Sequence, residues 1–291
     1  MTAQPFLLSV SGRSRFCLYH SPVPGAALRG AVVYIHPFAE EMNFSRHMAA
    51  LQSRALAAQG YAVLQIDLLG CGDSAGDFSE ASWSAWVADI IAAARWVQAR
   101  HATDHSINNA EPLTFWSLRA GCLLATEAAN TLDEPVNFLF WQPVLSGETY
   151  WRQFKRLAVA ARALEHYDDA HKNEPECETE NAPAIEIAGY GISPALAAGL
   201  SASRLVLPAS TRRVSCVELK PWQAPEQGNA TPFALSPALE SAITAWREQG
   251  KDVCCAVVPG AAFWQIAEAE DCPALRAATA QLLMDRRDGI A

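Results

Sequence analysis

Short β-branched and aromatic runs alternate with Ala-rich stretches along most of this chain, and that alternation limits its fold more than any other feature. A run of four to eight apolar residues set between amphipathic helical segments reads as a strand covered on both faces, and repeated strand–helix units build a parallel sheet. Candidate strands lie at 6–10, 16–19, 31–35, 61–66, 113–116, 136–141, 213–219 and 253–258. Ser11, Gly12 and Arg13 are turn formers between the first two and predict an opening hairpin. One helix is predicted from a cap at Asn43 or Ser45 to Gln59, stopped by Gly60; others cover 83–100, 121–131, 150–163, about 237–249 and about 273–286. The expected fold class is α/β, with a mostly parallel central sheet flanked by helices.

The rhythm breaks after Gln142-Pro143 and resumes near residue 213. The intervening 146–212 are expected to form a helical cap inserted into a core made of 1–145 and 213–291. Within the cap, the acidic stretch 165–181 is too polar for a core and is expected to be exposed.

Composition removes several classes of function. A chain of 291 residues buries about 75% of its unfolded surface and needs no covalent staple. Its eight cysteines, at 17, 71, 122, 177, 216, 254, 255 and 272, contain no C-x-x-C pair and no Cys/His spacing suited to zinc. They read as reduced, buried thiols, and no metal or cofactor is expected. The 22 Lys and Arg against 31 Asp and Glu leave a net charge of −9 with no basic stripe, which argues against nucleic acid. The N-terminus lacks a charged-then-apolar leader and no stretch approaches the ~20 apolar residues of a membrane span, so a soluble cytoplasmic protein is expected.

Ligands of open α/β sheets bind outside the carboxyl ends of the strands, so the residues following each strand carry the chemistry. Four such loops stand out: His36-Pro37-Phe38-Ala39-Glu40-Glu41-Met42-Asn43; Asp67-Leu68-Leu69-Gly70-Cys71-Gly72-Asp73-Ser74-Ala75-Gly76; Ser117-Leu118-Arg119-Ala120-Gly121; and Pro259-Gly260-Ala261-Ala262-Phe263-Trp264. This succession resembles the α/β-hydrolase superfamily. The third loop has the form of a nucleophile elbow, which requires small residues two before and two after its tip because strand and helix backbones touch there. Ser117 and Gly121 satisfy that requirement in a single register, which puts Arg119 at the tip. A guanidinium is always charged and has no lone pair with which to attack, so it can bind an anion or stabilise charge but cannot form an acyl-enzyme. No histidine follows residue 171, so the Ser…Asp…His order cannot be completed. Gly70-x-Gly72-x-x-x-Gly76 has neither the spacing nor the place of a dinucleotide fingerprint.

A closer resemblance rests on five segments: 36–43, Trp-Ser-Leu-Arg-Ala-Gly at 116–121, Trp-Gln-Pro-Val-Leu-Ser-Gly at 141–147, 188–196, and Phe-Trp-Gln at 263–265. These look like the type 2 hydrolase associated with the exosortase A system. That resemblance implies an α/β-hydrolase fold, an Arg at the elbow, a cytoplasmic setting, and a link to exopolysaccharide synthesis and exosortase-dependent sorting. The ligand it implies is a small-molecule, acyl or glycan-linked intermediate, with a protein of that system as partner.

The expected working residues are Arg119, Glu41 and His36. Arg119 is a ligand clamp or charge stabiliser, or else a structural partner of Asp67, Asp73 or Glu41. One of Glu40 and Glu41 is a base whose pKa the other raises, or both are first-turn charges that favour the helix dipole. His36 is an acid/base or oxyanion donor, or a hydrogen-bonded structural histidine. Phe38, Glu40, Asp73, Ser74, Leu118 and Trp264 are expected to line the pocket. Trp116, Trp141 and Trp264 form a stacking surface or belong to the core. Ser117 and Cys122 are weak nucleophile candidates with no histidine to activate them. Two functions remain open: an ester or thioester hydrolase using water with Glu41 or His36, and a non-catalytic binding protein built on a hydrolase pocket.

Overall fold

The computed structural model describes residues 3–24, 28–101, 112–132, 134–165, 184–221, 234–268 and 270–284, with side chains of 157–165 left aside. The acidic stretch beyond residue 165 and Cys177 lie outside the described residues. The chain begins with a hairpin of β1 (Ala3–Val10) and β2 (Arg13–His20), joined at Ser11 and Gly12, both with φ above zero. That geometry matches the twist of the flanking strands and suits a two-residue turn.

Strand–helix units follow: β3 (Gly30–Ile35), α1 (Glu40–Ala58), β4 (Tyr61–Ile66), α2 (Trp83–His101), β5 (Thr114–Leu118), α3 (Gly121–Thr131) and β6 (Asn137–Trp141). After β6 come α4 (Gly147–Glu165), a short antiparallel hairpin of β7 (Ile185–Ile187) and β8 (Tyr190–Ile192), and α5 (Pro194–Ala202). The chain closes with β9 (Arg213–Lys220), α6 (Pro237–Glu248), β10 (Asp252–Pro259) and α7 (Pro273–Met284). The main sheet has eight strands in the order β1-β2-β4-β3-β5-β6-β9-β10; the β1/β2 and β2/β4 pairs are antiparallel and the rest parallel.

Side chains alternate across this sheet, as a strand period of two requires. Val33, Ile35, Phe115, Phe138 and Phe140 meet α2, α3 and α6 on one face; Val32, Tyr34, Trp116, Leu118, Leu139 and Trp141 meet α1 and α7 on the other. Trp116 and Trp141 are fully buried, and Trp141 Nε1 donates to Thr279 Oγ1 on α7, so both belong to the core. Leu118 is likewise fully buried and faces that core, where the sequence had suggested a pocket wall.

The first helix starts earlier than its polar residues suggest. Ala39, with φ 51° and no side-chain cap, turns the chain into α1, and Asn43 and Ser45 fall inside it. Glu40 and Glu41 therefore occupy its first turn, where the positive end of the helix dipole favours carboxylates.

Candidate functional site

The turn from β5 into α3 has the geometry that the spacing of its small residues requires. Arg119 stands at its tip with φ 54°, a left-handed conformation costly for a non-glycine residue. Its N–H donates to Trp141 O at 3.1 Å and its carbonyl accepts from Cys122 N and Val144 N, so the backbone on both sides holds it there. A Cβ on Gly121 would sit 2.6 Å from His36 O and 2.8 Å from Ile35 O, which explains the glycine: the helix start runs directly against the end of β3. Ser117 is fully buried. Cys122 is also fully buried, and burial pushes its thiol up to about 12, so it carries no thiolate at neutral pH.

The Arg119 side chain reaches back over the sheet edge to α1. Its Nε donates to Glu41 Oε1 at 3.3 Å, and Tyr150 Oη, from the first turn of α4, donates to Glu41 Oε2 at 3.0 Å. The Tyr150 and Trp264 rings flank the guanidinium, each with its centroid 5.6 Å from Cζ. Arg119 and Glu41 keep 18% and 16% of their side-chain surface, so the pair is desolvated but open on one side. Among the described residues Glu41 is the one hydrogen-bond partner of the Arg119 side chain, through Nε; Nη1 and Nη2 donate to no protein group.

The open side is a cleft of about 300 Å³. Arg119, Gln142, Ser146, Thr149, Tyr150, Gln153 and Glu218 supply its polar wall, and Pro143, Val144, Leu145 and Leu239 its apolar one. Burial raises the Glu41 pKa above the ordinary carboxylate value, and the attraction of Arg119 and the hydrogen bonds from Tyr150 and Arg119 offset only part of that rise. Tyr150 titrates well above its usual range, first because it is buried and then because it faces the Glu41 charge.

The two neighbouring glutamates diverge. Glu40 is exposed and accepts from Tyr190 Oη of β8 at 2.5 Å and from Asn43 Nδ2 at 3.2 Å. The rise in Glu41's pKa thus comes from burial, where the sequence suggested repulsion from Glu40. His36 is buried, its Nδ1 engaged by Pro37 O at 2.8 Å and its Nε2 accepting from Leu68 N at 3.2 Å. Both ring nitrogens are occupied by backbone, burial lowers the ring's pKa, and no nitrogen is presented to the cleft.

The loop after β4 is bound up in itself. Asp67 accepts from Asp73 N at 3.1 Å and from Arg46 at 2.9 Å, which answers which acid pairs with Arg119. Ser74 is buried, donating to Asp67 O at 2.5 Å and accepting from Phe16 N at 2.8 Å, while the Asp73 side chain is exposed. Phe38 is buried among Phe78, Trp86, Tyr150 and Phe154 and supports Tyr150 from behind. Trp264, in the 3-10 turn Phe263–Gln265 after β10, packs by Arg119 where a catalytic histidine would stand in a triad hydrolase.

Sequence reasoning missed Tyr150, Gln142 and Glu218. Nothing local marks Tyr150, which is brought to Glu41 by the long connection after β6. Glu218 was more visible: it is an acid in the apolar strand Arg213–Lys220, buried at 4% exposure, with Oε2 accepting from Ser236 N at 2.7 Å and Oε1 3.4 Å from Lys220 Nζ.

A left-handed elbow stands at the end of the central parallel strand, packed through a glycine against the strand beside it. Residues 26–188, more than half of the chain, match the family described as Serine aminopeptidase, S33. The chain belongs to this family. Its fold is that of the α/β serine hydrolases. One from Xanthomonas campestris, described as lacking a lid, is 14% identical, with 97% of this chain and 94% of that one covered at a TM-score of 0.56. Est1E from Butyrivibrio proteoclasticus, solved with ferulic acid, is 15% identical over 96% of both chains at 0.56. The thioesterase domain of the curacin pathway is 14% identical, with 98% and 100% covered, at 0.52. No curated protein matches the chain. Among the described residues no helix is long and apolar enough to cross a membrane.

Proposed function

We propose that this chain uses the hydrolase fold to bind a carboxylate-bearing acyl ligand at Arg119 and forms no acyl-enzyme. The observation that carries this reading is the guanidinium at the elbow tip, tethered to Glu41 by Nε alone, with both Nη groups lacking a protein acceptor among the described residues beside an open cleft. A planar fork of N–H donors fits a carboxylate in two parallel hydrogen bonds, and a carboxylic acid is what cleavage of an ester or thioester releases. The site would then hold a product-like molecule where a hydrolase holds an acyl group.

A second reading is favoured by Glu41. A carboxylate whose pKa is lifted by burial is better matched to proton transfer near neutral pH, so Glu41 would activate water and Arg119 would stabilise the developing oxyanion of an ester or thioester. His36 has no part in either reading, since its ring nitrogens serve the backbone. The five motif matches support placing the chain with the type 2 hydrolases of the exosortase A system, in the cytoplasm, with an acyl or glycan-linked ligand and a protein partner from that system. We read α4 to α5 as the cap, which brings Tyr150 to Glu41 and Thr149 and Gln153 to the cleft wall.

Steady-state hydrolysis of a chromogenic ester and thioester panel separates the two readings. The binding reading expects no turnover above background for the wild type at any acyl length. Turnover that both Arg119→Ala and Glu41→Ala abolish would establish the water-based hydrolase instead.

A further inference from the structure

Gln142 is the first residue after β6, in a motif that the site so far leaves unused. It has φ 44°, a left-handed conformation that an ordinary loop would give to glycine or asparagine. The conformation is enforced by β9: Gln142 N donates to Val217 O at 2.8 Å, and Gln142 Oε1 accepts from Leu219 N at 2.8 Å. A backbone N–H can only donate, so the amide orientation is fixed with its oxygen toward β9. The Nε2 group is then left with two donors and no protein acceptor among the described residues, on a side chain that lines the cleft. Leu118 pairs with Trp141 across β5 and β6, so Arg119 and Gln142 leave adjacent strands at the same level, about 5 Å apart.

We propose that Gln142 is a ligand-binding residue that sets specificity, its amide donating to an acceptor oxygen of the ligand whose carboxylate Arg119 holds in the same cleft. The inference rests on the carboxylate-binding reading above and narrows its ligand class: an acid carrying a carbonyl a few bonds from its carboxylate, as an N-acyl amino acid does, in place of a plain fatty acid. The apolar body beyond that carbonyl would lie against Val144, Leu145 and Leu239. A strained backbone held by two bonds to the neighbouring strand is a means of aiming one amide, and the side chain it fixes is partly exposed at the cleft.

N-butanoylglycine and heptanoate have chains of the same length and differ at the amide, so calorimetric titration of both reads the contact directly. The wild type is expected to bind N-butanoylglycine about tenfold more tightly, the worth of one well-placed hydrogen bond. Gln142→Glu keeps the acceptor for Leu219 N but has no donor, and is expected to bring the ratio of the two affinities to about one while weakening both. Gln142→Met, which lacks both groups, should give the same ratio. Equal wild-type affinities, or a preference that survives in Gln142→Glu, would overturn the assignment while leaving carboxylate binding intact. Failure of both ligands to bind the wild type would overturn the underlying reading and this one with it.

Discussion

Replacing Glu41 with glutamine should strengthen carboxylate binding, although it breaks the ion pair that the elbow arginine makes among the described residues. The pair's geometry gives the size. Glu41 occupies the Nε edge of Arg119 at 3.3 Å, and a ligand carboxylate would take the Nη edge. Two carboxylates on different edges of one guanidinium lie roughly 7 Å apart, and at an effective dielectric of about 20 they repel by about 2 kcal/mol. Solvent at the open side of the cleft reduces this to about 1 kcal/mol, or about fivefold in affinity. Glutamine keeps the shape: its Oε1 accepts from Arg119 Nε and its amide nitrogen donates to Tyr150 Oη, which turns its own proton away, so the fork stays in place.

The same substitution tests the sign of the Glu41 titration. Its folded pKa lies above the unfolded value, so the folded state holds the proton more firmly and its contribution to stability is lost as pH rises through the folded pKa. Glu41→Gln should therefore be neutral or slightly stabilising at pH 7, and it should flatten both the pH dependence of stability and that of binding. Calorimetry with heptanoate and urea unfolding between pH 5 and 8 measure the two effects. A fall in affinity in Glu41→Gln, with the fold intact, would refute the view that Glu41 competes with the ligand for the guanidinium.

Three further outcomes follow. Tyr150→Phe removes a hydrogen bond that holds the Glu41 pKa down, so the pH at which binding weakens should move upward; titration across that range would show no shift if Tyr150 merely packs. Gly121→Ala places a Cβ 2.6 Å from His36 O, a backbone atom that cannot swing away, and should destabilise by roughly 1–3 kcal/mol in urea unfolding. Arg119→Ser puts a hydroxyl at the elbow tip with no histidine after β10 to activate it, and should remain unlabelled by a serine-directed phosphonate probe.

Much of this architecture can be read from the chain because its signals are local. The strands of the main sheet stand within a few residues of their apolar runs, and the elbow register follows from Ser117 and Gly121, whose size is set by backbone contact. The strands β7 and β8, three residues each, are too short to show a period, and α5 is announced only by Ser193 and Pro194 at its start. The site is harder to read because it is assembled from distant pieces. Glu41 and Arg119 are 78 residues apart, and Glu41 and Tyr150 109. The histidine and serine that looked chemical, His36 and Ser74, are consumed by backbone bonds that no sequence pattern predicts. Gln142 was visible as a polar residue at a strand end and within the 141–147 motif, but its left-handed backbone is imposed by β9.

The central claim is that the elbow arginine is a carboxylate receptor, and titration of N-butanoylglycine into the wild type and Arg119→Met tests it most directly. Methionine keeps most of the apolar stem and removes the charge and all five donors. Binding by the wild type, weakened at least thirtyfold in Arg119→Met with unchanged urea stability, is the expected result. Equal affinity in the two proteins would contradict it.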